Sequence, residues 1–133
     1  MITTAALTQV RQVLAETIRR HLDDAEITAT IYPDGAIEAT PALPAIVIGN
    51  PRWAPSEGPT ACYGLLSWPV AVLVARDGTS DPAANRLLEQ IWPAVATALD
   101  QSRTGRVDTA QFGPYQVGGV TYPAYLITIK LTV

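Results

Sequence analysis

The chain of 133 residues carries nine Lys and Arg against twelve Asp and Glu, a net charge of −3, and only 16% of its residues are charged. That length makes one domain, large enough to bury about two-thirds of its unfolded surface in a single core. Charge this far below the ~25% usual for a globular domain leaves part of the exterior neutral or apolar, which favours cover by other subunits.

Eight Arg and one Lys are scattered along the chain without a basic stripe, which argues against specific nucleic-acid binding. The single cysteine, Cys62, excludes an internal disulfide framework and fits a reducing compartment. Met1-Ile2-Thr3-Thr4 has no basic segment leading into an apolar one, so no export signal is expected. No apolar run approaches the ~20 residues of a membrane span, so the expected setting is the cytoplasm of the cell that makes the protein.

The first element is an amphipathic helix capped by Thr3 or Thr4. Leu7, Val10, Leu14, Ile18 and Leu22 recur at steps of three and four, with Gln9, Arg11, Glu16, Arg19 and Arg20 on the remaining faces. Asp23 and Asp24 oppose the helix dipole, so the helix is expected to end near Leu22, with His21 facing solvent. Ile27, Ala29 and Ile31 alternate with Thr28, Thr30 and Tyr32 in a first strand, closed by the turn Pro33-Asp34-Gly35. After a loop, the apolar run Pro44 to Gly49 reads as a strand buried on both faces.

Gly49 to Gly64, with Pro51, Pro55 and Pro59, reads as a long loop. Trp53 in it is either an anchor on a partner or a ring folded back onto the domain's own edge. Leu65 to Ala75 is the strongest internal strand. A second helix starts at Ser80 or Asp81 with Pro82 in its first turn, and Leu87 or Leu88, Ile91, Val95 and Leu99 form its buried stripe. Pro93 is expected to kink or split that helix around Gln90 to Trp92. Val107 to Val120 gives one or two short strands, with turn signals at Gly113-Pro114 and Gly118-Gly119. Tyr125 to Val133 alternates with a period of two and closes the sheet. The order α-β-β-β-α-β-β defines a single α+β domain over residues 1–133: a mainly antiparallel sheet with two helices packed on one face.

No chemistry stands out. His21 and Cys62 lie in unrelated segments, Asp23, Asp24 and Glu26 cluster at a helix end, and Asp77-Gly78-Thr79-Ser80 lacks the lysine and glycine spacing of a phosphate loop. No pair of residues has metal-ligand spacing, and no catalytic residue, cofactor or metal is expected.

Several stretches in order carry a family likeness. They are Ile31-Tyr32-Pro33-Asp34, Pro41, the run Pro44-Ala45-Ile46-Val47-Ile48-Gly49-Asn50-Pro51, the strand Trp68-Pro69-Val70-Ala71-Val72-Leu73-Val74-Ala75, and a helix ending Val95-Ala96-Thr97-Ala98-Leu99. Over nearly its whole length the chain resembles the small tail-terminator or tail-completion proteins of the head–tail neck of long-tailed bacteriophages that infect actinobacteria. The resemblance implies a structural virion protein without catalytic residues. It implies a ring, typically of six subunits, that caps the tail tube protein and presents a surface to the head–tail connector or stopper protein. Such a protein is assembled in the host cytoplasm and resides in the tail or neck. DNA would pass through the lumen without specific binding, because retention requires neutralised phosphates and the chain is mildly acidic. Arg52, Trp53, Pro55 and Glu57, on the Gly49–Gly64 loop, are then the candidate contacts between subunits or between rings.

Two other expectations stand beside this one. The chain is a stopper or connector subunit of the same neck, or it is a dimeric α+β domain whose Trp53, Trp68 and Tyr63 line a small-molecule pocket.

Overall fold

The computed structural model describes residues 3–38, 40–55, 64–75, 82–102 and 105–132. It is an α+β fold in which α1 (Thr4–Asp24) and α2 (Pro82–Gln101) cover one face of a six-stranded sheet. The strands are β1 (Thr30–Tyr32), β2 (Ala45–Ile48), β3 (Arg52–Pro55), β4 (Gly64–Leu73), β5 (Arg106–Val117) and β6 (Val120–Thr132). Their spatial order is β1-β2-β4-β6-β5, with β3 pairing β4 beside β2, and every pairing except β1–β2 is antiparallel.

Thr3 caps α1 by accepting a hydrogen bond from the Ala6 amide, and Leu14, Ile18 and Leu22 turn into the core. The helix runs two residues past the expected Leu22. It closes through a Schellman arrangement: the Glu26 amide donates to Asp23 O, the Ile27 amide donates to Leu22 O, and Glu26 has a φ of 58°. Two added bonds outweigh the unfavourable Asp23 and Asp24. The signal was absent from the sequence because glycine usually occupies that left-handed position.

The α2 stripe is Ala84, Leu88, Ile91, Val95, Ala98 and Leu99, while Leu87 is exposed. Pro93 does not split the helix, which is continuous from Pro82 to Gln101. Pro93 itself is exposed, and the buried residues on either side hold both halves against the sheet.

Against the helices stand Ile46, Ile48, Leu66, Trp68, Val70, Val72, Ile127, Ile129 and Leu131, one face of β2, β4 and β6. The opposite face carries a smaller cluster of Ala45, Val47, Ala71, Leu73, Ala124 and Val117, with Ile37 and Leu43 of the β1–β2 connection packed on it. Away from that cluster nothing packs on this face among the described residues. β2 is therefore buried on both faces, as its unbroken apolar run predicts.

Two expectations fail for reasons of pairing. Gly113 and Pro114 make no turn. β5 is one strand of twelve residues that pairs with β6 along its length apart from a bulge at Asp108, and Pro114 faces Pro123 at an edge where a missing N–H is tolerated. The turn is at Gly118 and Gly119 alone, whose φ values of 56° and 79° make the two-residue type I′ connection that glycine permits. The Gly49–Gly64 stretch is likewise no structureless loop, because it contains β3.

Candidate interaction surface

β4 is longer than β2, and that excess creates β3. β2 occupies Val70 to Leu73, which leaves the ladder from Gly64 to Ser67 unpaired. The chain slips by one residue between Ile48↔Val70 and Arg52↔Ser67, a bulge at residues 49–51, and then resumes pairing along β4. Pro69 sits at that slip, where the N–H it lacks would have had no regular partner; its carbonyl accepts from the Gly49 amide at 2.8 Å.

All four residues of β3 are exposed, and the strand's outer edge has no strand beside it among the described residues. Trp53 folds back onto the domain's own edge, one of the two expectations held for it. Its ring lies on Gly64, where an added methyl would fall 2.2 Å from the indole, yet 47% of the residue stays exposed. The indole thus packs on its own edge and keeps its outer surface exposed. Arg52 and Pro55 share the strand, and Glu57 lies outside the described residues, as do Cys62 and Tyr63.

β5 forms the opposite edge of the sheet, also without a strand beyond it among the described residues. Its helix-side face carries Phe112, 56% exposed, edge-on to Tyr125 at 6.1 Å between centroids; Tyr125 in turn stacks on Trp92 of α2 at 4.7 Å. Leu66, opposite Trp53, belongs to the helix-side core, so Trp53 lies on that same side. One exposed aromatic therefore marks each of these two edges, on a common face, while β1, the end strand beyond β2, carries none.

A buried node fixes this frame. Nη1 of Arg11 donates to the carbonyls of Pro33 at 2.6 Å and of Ile48 and Gly49 at 3.1 Å each, and the guanidinium lies 5.0 Å from the Trp68 ring. Trp68, fully buried, donates its Nε1–H to the Gly49 carbonyl at 2.8 Å. Of the three residues expected to line a pocket, Tyr63 lies outside the described residues. Trp68 is consumed in the core and Trp53 stands at the sheet edge.

His21 is not simply solvated: Nδ1 is 3.0 Å from Thr17 O and Nε2 is 2.8 Å from Gln101 Oε1, tying the end of α1 to the end of α2. Among the described residues, no three of His, Cys, Asp and Glu gather as a metal site, and no helix is long and apolar enough to cross a membrane. No protein-family model matches the chain, and no curated protein matches it.

Proposed function

We propose that the protein is a structural ring subunit, the tail terminator that caps a phage tail tube and joins it to the head connector. The observation that carries this reading is the pair of open sheet edges, β3 and β5, each with an exposed aromatic on the same face. Two different sticky edges on one sheet suit head-to-tail association, in which each copy uses β5 against the next copy's β3 and rotation closes the ring. Within one chain β3 runs antiparallel to β5, because each successive pairing from β3 through β4 and β6 to β5 is antiparallel. Copies related by rotation about an axis along the strands would then meet in antiparallel register, with Trp53 beside Phe112 of the neighbour. The family resemblance supplies the tail tube, the connector and a count near six.

The test is light scattering and electron imaging of the purified protein, alone and mixed with uncapped tail tubes. Annular particles, or protein collected at tube ends, are the expected result. A stable dimer that ignores tube ends would sink the proposal. A stopper or connector subunit would close a ring but bind the head side instead of the tube.

A further inference from the structure

Among the described residues the six strands carry only four charged side chains: Arg52, Arg106, Asp108 and Lys130. Far apart in sequence, they come together in one place. Arg52 pairs with Ser67, Ser67 with Lys130, and Lys130 with Arg106, so the register lines them up in a single row across β3, β4, β6 and β5. Neighbours of these residues along the strands, Leu66, Trp68, Val107, Ile129 and Leu131, point into the helix-side core, which directs the row to the opposite, open face. Asp108 joins it through a 3.4 Å ion pair with Lys130, both about two-fifths exposed. Three strand spacings make the row about 14 Å long. It holds three cations and one acid on a chain of net charge −3, whose helices carry five acids, Glu16, Asp23, Asp24, Glu89 and Asp100, against four arginines.

We infer that this open face of the sheet is a contact surface for the phosphate backbone of duplex DNA. The charge is complementary to a polyanion, and the surroundings fit one. Ser67 occupies the centre of the row, and Thr109, Gln111 and Thr128 extend from it into a groove of about 450 Å³ with no charged residue in its lining. Hydroxyls, amides and cations satisfy phosphate oxygens without reading bases. The positions of the row itself hold no aromatic or aliphatic anchor of the kind a protein partner would use, although Leu65, 36% exposed, lies beside Ser67 on the same face. The exposed aromatics lie on the other face. Lys130 is held in part by Asp108, so the contact is weak and salt-sensitive, suited to a duplex that moves along the surface. This inference does not require ring closure, because the row lies within one chain.

The test is fluorescence anisotropy of the full chain with a labelled duplex of arbitrary sequence, titrated with salt. With three phosphate contacts, log affinity should fall against log salt with a slope of about −2 to −3. Arg52→Gln and Arg106→Gln should each reduce that slope by about one. Asp108→Asn, which releases Lys130, should tighten binding several-fold. Arg19→Gln with Arg20→Gln, on α1, should leave it unchanged, with thermal melting confirming that each variant folds. The inference falls if wild type shows no salt-dependent binding, or if the α1 variant loses as much as the row variants. It also falls if poly-glutamate at equal charge displaces the duplex completely, which would assign the row to an acidic protein. Loss of DNA binding with rings intact would separate this failure from failure of the ring proposal.

Discussion

Arg11 sits on the polar side of α1 by spacing alone, yet its guanidinium reaches inward to three carbonyls and a tryptophan ring. A long stem lets an arginine leave its wheel position, and backbone carbonyls have no sequence signature, so periodicity could not find this contact. Arg11→Ala should destabilise the protein by about 2–4 kcal/mol in urea unfolding, since charged hydrogen bonds and a cation–π contact go together. Arg11→Lys should recover less than half of that loss, because an ammonium lacks the planar fork. Glu26 offers the opposite case. Its left-handed φ of 58° closes α1 in a position that glycine adopts without strain. Glu26→Gly should therefore raise stability by about 1 kcal/mol, read as a shift in the urea midpoint. Neither residue could be singled out from composition or spacing, because each is defined by what a distant or irregular piece of backbone requires.

At the scale of elements, legibility followed locality. The alternation of Tyr125, Ile127, Ile129 and Leu131, the unbroken run of β2 and the stripe of Leu88, Ile91, Val95 and Leu99 are local patterns, and each became the expected strand or helix. β3 could not be read that way. The four residues from Arg52 to Pro55 hold no periodicity, and they pair only because β4 extends beyond β2. The cationic row was hidden for the same reason, since residues 52, 106 and 130 become neighbours only through register. Two substitutions probe these elements. Gly64→Ala would drive a methyl into the Trp53 indole, so the indole should swing outward and its emission shift to the red, with β3 exchanging amide hydrogens faster. Pro93→Ala restores an N–H to the middle of an already continuous α2. It should stabilise the protein by about 1–3 kcal/mol, provided the packing of Ile91 and Val95 is undisturbed.

For the whole molecule, the arrangement of edges makes a prediction that a symmetric dimer would not. Trp53→Ser spoils the β3 edge and leaves β5 intact, and Phe112→Ser does the reverse. Each variant alone should fail to close rings by light scattering. An equal mixture should yield one-to-one pairs that stop there, because only one good edge of each kind remains. A self-complementary interface would instead show no rescue on mixing. The hairpin that supplies β5 also has a kinetic consequence. Its strands are joined by two glycines and are contiguous in sequence, whereas β4 must find β6 across α2 and the intervening chain. Loop closure is least demanding at that turn, so the hairpin should form first and serve as the template on which β4 docks. In stopped-flow experiments Gly119→Ala should slow refolding with little change in the unfolding limb, while changes in β3 should do the opposite.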